Sequence, residues 1–248
     1  PGKYRVIAQN PVTRCYSWMN GDATIQPPPT VYNLLPSGDT CAPAMIRLNG
    51  SQTGISYRLI LNNTQYLDSL YGTGSALFFG NYSTAGSYKI KAIDTLTHCE
   101  YWMADSVHIY PAPIIYNINP NGIACTHTPI CVNNSEIGVT YTLIRNGSQI
   151  AAGPIPGTGS QLCFGPQSMS GTYTIEATHV ITGCHSIMNG TATLSPRPDI
   201  FQVEPSGTQC EGTIIYITGS QPGVTYTLLR DNNVILPSRQ GTGFVLPF

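Results

Sequence analysis

The sequence predicts an all-β chain of tandem two-sheet sandwiches. Three observations carry this: an internal repeat, strand-length apolar segments set between turn residues, and no sustained 3.6-residue period. Tyr88-Lys-Ile-Lys-Ala, Tyr173-Thr-Ile-Glu-Ala and Tyr4-Arg-Val-Ile-Ala are versions of one segment, as are Tyr57-Arg-Leu-Ile, Tyr141-Thr-Leu-Ile and Tyr226-Thr-Leu-Leu. Gly-Thr-Gly recurs at Gly72, Gly157 and Gly241. These marks define two full units, residues 30–113 and 114–198, of 84 and 85 residues. Residues 1–29 match the last part of such a unit and residues 199–248 the first part, so the chain reads as a segment of a longer array.

In the first full unit the expected strands are Val31–Leu35, Ala44–Leu48, Ser56–Leu61, Ala76–Phe79, Ser87–Ile93 and Cys99–Ile109. All are rich in apolar and β-branched residues. Pro36-Ser-Gly, Asn49-Gly-Ser, Asn62-Asn-Thr and Gly72-Thr-Gly punctuate them with turn chemistry. The Gly-Thr-Gly triplets precede strands rather than open helices, so they read as turns and not as phosphate loops. Six or seven short strands in about 85 residues indicate an immunoglobulin-like sandwich. Tyr4, Tyr88 and Tyr173 open the penultimate strand like a tyrosine corner, but Val6, Ile90 and Ile175 stand where a core cysteine is expected. The units meet at Pro27-Pro-Pro29, Pro111-Ala-Pro113 and Pro196-Arg-Pro198, semi-rigid joints that predict a rod.

Six of the eight cysteines fall at two repeated positions: Cys41, Cys125 and Cys210 before the second strand, and Cys15, Cys99 and Cys184 after the penultimate one. This is the pattern of a disulfide framework in a secreted chain. In immunoglobulin-like topology the first position lies at the C-terminal end of a unit and the second at its N-terminal end. Cys41 and Cys99 are then on the order of 20 Å apart by strand rise, whereas a bridge needs Cα atoms within about 7 Å. The expected bond is therefore Cys41–Cys184 between units, with Cys15, Cys99, Cys125 and Cys210 pairing to further units. An intradomain Cys41–Cys99 bridge is the alternative under a different strand order. Cys131 and Cys163 occur only in the second full unit, in place of Arg47 and Phe78, and read as a pair within one sandwich.

The composition gives little purchase for other functions. Charged residues make up 9% of the chain and the formal net charge is −1, with no basic cluster for nucleic acid. No stretch approaches the roughly 18 apolar residues of a membrane span. Cys125, His127 and Cys131 lack a regular four-ligand spacing and do not recur, so no metal or cofactor is expected. The five histidines occupy no shared position and the acidic residues are scattered, so no enzyme is expected.

The run Gly-x-Tyr-x-Ile-x-Ala, then Thr-x-Cys, spans Gly171–Cys184, is echoed by Gly86–Cys99 and Gly2–Cys15, and is followed by an outgoing strand and a Pro-rich joint. It resembles the tandem Ig-like repeats of giant Bacteroidota cell-surface adhesins, including SprB-like gliding-motility adhesins exported by the type IX system. The resemblance implies an extracellular, cell-surface adhesin filament or its stalk. It also implies O-glycosylation at Asp-Ser/Thr-apolar triplets, here Ser69, Thr95 and Ser106. Two function classes follow. One is a structural shaft that transmits tension in attachment or gliding, partnered by neighbouring repeats. The other is a carbohydrate-binding module for surface polysaccharide, with Trp18 and Trp102 as the candidate platform.

Overall fold

The structure, a computed structural model, describes all of residues 1–248. Residues 1–29 contribute β1 (Gly2–Tyr4), β2 (Ile7–Gln9), β3 (Tyr16–Trp18) and β4 (Ala23–Ile25). The first full sandwich contains β5 (Leu34–Leu35), β6 (Gly38–Cys41), β7 (Ala44–Leu48), β8 (Ile55–Leu61), β9 (Gln65–Tyr71), β10 (Leu77–Tyr82), β11 (Gly86–Asp94), β12 (Glu100–Trp102) and β13 (Val107–Tyr110). The second contains β14 (Ile118–Asn119), β15 (Gly122–Cys125), β16 (Thr128–Val132), β17 (Val139–Arg145), β18 (Gln149–Pro156), β19 (Leu162–Gln167), β20 (Gly171–His179), β21 (His185–Ile187) and β22 (Ala192–Ser195). Short pairings complete the chain: β23 (Val203–Glu204), β24 (Tyr216–Ile217), β25 (Thr225–Tyr226), β26 (Leu229–Arg230), β27 (Asn233–Val234), β28 (Arg239–Gln240) and β29 (Leu246–Pro247).

In the first sandwich one sheet runs β5-β7-β10 and the other β6-β13-β11-β8-β9, with β12 also on β11. The second repeats this as β14-β16-β19 and β15-β22-β20-β17-β18, with β21 on β20. The opening strand is shared between the sheets, its second half running parallel to the last strand (β6 on β13, β15 on β22), while the other pairs are antiparallel. The cis bonds Leu35–Pro36 and Asn119–Pro120 lie where the chain passes from one sheet to the other. This strand order is that of an immunoglobulin-like sandwich, and the fold is all-β.

The cores follow from strand alternation. Ala44, Ile46 and Leu48 are buried while Met45 and Arg47 face out. Leu34, Tyr57, Leu59, Ile90 and Ile109 close the first core; Ile130, Tyr141, Leu143, Ile175 and Leu194 close the second. Fully burying each such side chain contributes about 1.5–3 kcal/mol. Both full units have a tyrosine corner: the Tyr88 hydroxyl donates to the Thr84 carbonyl and the Tyr173 hydroxyl to that of Met169, each at 2.7 Å. Ile90 and Ile175 are fully buried where a core cysteine would stand.

A second tyrosine is braced from the opposite direction. The hydroxyls of Tyr57, Tyr141 and Tyr226 accept the backbone N–H of Gln52, Glu136 and Gln221, each at 2.9 Å. Burial pushes the Tyr57 and Tyr141 phenols above their ordinary pKa. Beside them, Gly-Thr-Gly wraps a buried serine: Ser135 Oγ accepts the Thr158 N–H at 2.9 Å and donates to the Ser160 carbonyl at 2.6 Å. Ser51 and Ser220 repeat the arrangement. The first glycine is there for lack of room, since a Cβ on Gly72 would lie 1.9 Å from the Gln52 carbonyl oxygen.

Three strand expectations need correction. Only Leu34–Leu35 of the segment 31–35 is strand. β6 and β9 are additional to the expected strands: Gly38–Cys41 is a short polar edge segment, and Gln65–Tyr71 holds Tyr66, Leu67, Leu70 and Tyr71 without the strict alternation of a strand, so both take their order from the neighbouring strand. The segment 99–109 is broken into β12 and β13 at Met103–Ser106, where Met103 turns into the core and Asp105 has φ 67°. Gly72→Ala is expected to cost about 1–3 kcal/mol through overpacking against backbone, lowering the thermal midpoint by several degrees. Tyr88→Phe removes one buried hydrogen bond, an expected loss of about 0.5–1.5 kcal/mol by denaturant titration.

Candidate functional site

The candidate site is the junction between the two full sandwiches, built from one loop, one strand end and one joint. The loop is a recurring six-residue ribbon. Its first residue donates its N–H to the carbonyl of its cysteine: Asn10 to Cys15 at 2.9 Å, Asp94 to Cys99 at 3.0 Å and His179 to Cys184 at 2.8 Å. The same first residue caps the turn. Asn10 Oδ1 accepts the N–H of Val12 and Thr13, Asp94 Oδ1 those of Leu96 and Thr97, and His179 Nδ1 those of Ile181 and Thr182. The bonds from Thr97 and Leu96 hold the Asp94 carboxyl below the usual carboxylate range. Each loop thus presents its cysteine in a preset geometry, at the end of the sandwich where Thr95 N–H reaches the Gly54 carbonyl at 3.0 Å and Val180 N–H that of Gly138 at 2.9 Å.

Cys41 ends β6, opposite Tyr110 at the end of β13. The chain leaves that same end through Pro111-Ala-Pro113. Across the junction Cys41 and Cys184 are joined, with S–S 2.06 Å and Cα–Cα 5.5 Å. Two hydrogen bonds seat the joint: Ser186 Oγ donates to the Pro113 carbonyl at 2.8 Å, and the Ile114 N–H donates to Glu136 Oε1 at 2.6 Å. Thr30 and Asp199 open their units with the same bond, to Gln52 and Gln221 at 3.1 Å. At the far end of the second sandwich Arg197 Nε donates to the Thr126 carbonyl at 3.0 Å.

The other cysteines divide in two. Cys131 and Cys163 face each other across β16 and β19 and are bonded, with Cα atoms 4.0 Å apart. Arg47 and Phe78 face each other at the same place in the first sandwich. Cys15, Cys99, Cys125 and Cys210 are free and exposed. Cys99 lines a cavity of about 220 Å³ beside Pro27 and Pro29 of the preceding joint.

Trp102 lies on β12, paired with Lys91 of β11, and is 44% exposed. Lys91 Nζ sits 4.7 Å from its ring centroid and bonds Glu100 at 2.8 Å, which lowers the Glu100 carboxyl. Trp18 is exposed on β3, and Ile187 takes the same place on β21. Among the candidate glycosylation positions, Ser69 Oγ is half-buried and 3.0 Å from Ser56 Oγ. Thr95 is exposed with its hydroxyl on the Gly54 carbonyl at 2.8 Å, and Ser106 is half-buried before β13. No sequence signal pointed to the loop caps or buried serines, although Asn10, Asp94 and His179 stand five residues before their cysteines in all three copies.

No protein-family model matches the sequence, and no curated protein matches it. Among solved structures, the chain is similar to a three-domain fragment of titin (I67–I69) at 14% identity and TM-score 0.38, covering 88% of this chain and 87% of that one. It is similar to a Bacteroides ovatus mixed-linkage glucan utilization locus protein, SGBP-B, in complex with a heptasaccharide, at 12% identity, TM-score 0.25 and coverage of 100% and 74%. The four N-terminal Ig domains of Dscam1 match at 11% identity and TM-score 0.30, over 79% of this chain and 54% of that one.

The Cys131–Cys163 bond closes a 32-residue separation. By loop entropy it is expected to stabilise the second sandwich by about 3–4 kcal/mol. The double variant Cys131→Ala/Cys163→Ala should lower the denaturant midpoint of that sandwich and leave the first unchanged.

Proposed function

We propose that these units form the shaft of an extracellular, cell-surface adhesin filament that transmits tension in attachment or gliding. The observation that carries this reading is the Cys41–Cys184 bridge placed beside the peptide joint, so that one sandwich is tied to the next by both peptide and sulfur. The bridge shortens the force path. Tension entering at the start of the first sandwich reaches Cys41 within β6 and crosses to Cys184, bypassing the 143-residue separation between them. Disulfides persist in oxidising surroundings, which supports placement outside the cell.

Single-molecule stretching tests it. With the bridge intact, pulling the 248-residue chain should give little extension from the two full sandwiches. After reduction, or in Cys41→Ser/Cys184→Ser, unfolding should release roughly 500 Å more, at about 3.5 Å per residue over the 143-residue separation. Equal extension in both states would remove the shaft reading.

A second reading is supported by the Trp102 face. Asn63, Lys89, Trp102 and Asp105 line an open groove of about 560 Å³, and an indole flanked by polar groups is the surface a sugar ring stacks on. If the unit binds polysaccharide, an insoluble glucan should retain the chain and Trp102→Ala should release it. Retention unchanged by that substitution counts against this reading.

A further inference from the structure

The two full sandwiches repeat each other inside but differ on the outer face of the larger sheet. In the first, Trp102, Lys91, Arg58 and Ser69 are Cα partners in one row across β12, β11, β8 and β9. Lys89, two residues from Lys91 along β11, shares that face. Tyr66 stands over Arg58, its ring centroid 6.0 Å from the guanidinium carbon. In the second sandwich the row reads Ile187, Glu176 and Thr142, with Thr174 at the place of Lys89 and Ile150 at that of Tyr66. Three of the chain's 11 basic residues thus gather on one face of one unit, in a chain only 9% charged.

On its own this grouping is unfavourable. Lys91 and Arg58 sit directly opposite each other on neighbouring strands, where like charges destabilise a sheet. Glu100 answers only Lys91, at 2.8 Å, and neither Arg58 nor Lys89 makes an ion pair. The fold does not require these cations, since Thr142 and Thr174 fill their places in the second sandwich. Beside them β11 passes its pairing from β12 to β13, and the groove of about 560 Å³ lies at that break. Lys89 and Trp102 line it together with Asn63, Ser106 and one acid, Asp105, which pairs with no cation.

The geometry points to a carboxylated polysaccharide, a polyuronate, as the ligand of this face, with Trp102 stacking a sugar ring and Arg58 and Lys89 taking carboxylates of the same chain. The inference rests on the polysaccharide reading of Trp102 above and names the class of polymer. Neighbouring strands lie about 4.8 Å apart, so the row presents an indole and two cations within about 10 Å. A guanidinium meets a carboxylate with two parallel N–H bonds, and the indole covers the apolar face of a ring. Asn63 and Ser106 in the groove offer partners for ring hydroxyls. A nucleic acid fits less well, because three cations in one patch do not track a phosphate at every nucleotide.

The test is titration calorimetry of the 248-residue chain with polygalacturonate and with its full methyl ester, the same polymer without the charge. At low salt the acid form should bind at least about tenfold more tightly, the effect of one charge-assisted hydrogen bond. High salt should erase that preference. Arg58→Thr/Lys89→Thr should also erase it while leaving the weaker binding of the ester, and Trp102→Ile should remove both. Each substitution installs the residue that the second sandwich carries at the same place, so thermal unfolding should be unchanged. Equal affinity for the two polymers, or a preference that survives Arg58→Thr/Lys89→Thr, overturns this inference and leaves the polysaccharide reading standing. Binding to neither polymer nor to a neutral glucan sinks that reading as well. Single-stranded DNA that displaces polygalacturonate at equal concentration would assign the face to phosphate instead, and also overturns the inference.

Discussion

The parallel ladder between the second half of the opening strand and the last strand is the pairing on which the junction depends. β6 lies along β13 from Gly38↔Val107 to Cys41↔Tyr110, which delivers a cysteine to the end of the sandwich where the chain exits. β15 and β22 do the same for Cys125. Neither edge segment has the apolar alternation of an autonomous strand; Gly-Asp-Thr-Cys is ordered by its neighbour.

The opposite end of each sandwich is organised by local rather than long-range bonds. The loop cysteine is set by a cap and a ribbon closure, both within six residues. The loop in residues 1–29 has the same cap and closure as the two in full sandwiches. A preformed loop loses little conformational freedom when the cysteine of the neighbouring sandwich bonds to it.

How far the sequence was legible reflects the same division. Strands with an inward face, Ala44–Leu48 and Ile55–Leu61 among them, announce themselves by apolar spacing, and the Tyr88 and Tyr173 corners by their place in the repeat. β6 and β9 were missed because edge strands half-exposed to water carry no such pattern, and β18 contains both Pro154 and Pro156. At the junction, the two cysteine positions were readable from recurrence, and which end each occupies from topology. The supporting bonds were not: a serine in Asn49-Gly-Ser51 reads as turn composition until Ser51 is seen bonded to Thr73 and Ser75.

Two tethers at one junction do more than add strength. A single peptide joint leaves one sandwich free to swivel about it, even when prolines stiffen the backbone. A second attachment, seated on the preset loop of the next sandwich, fixes bend and twist together, because either motion must now distort the fold on both sides. Ser186 on the Pro113 carbonyl and Ile114 on Glu136 hold the peptide side of the same junction, so neither tether is left to rotate about the other. In the shaft proposed above, the same arrangement repeated at each junction would make stiffness a property of the unit rather than of the linker.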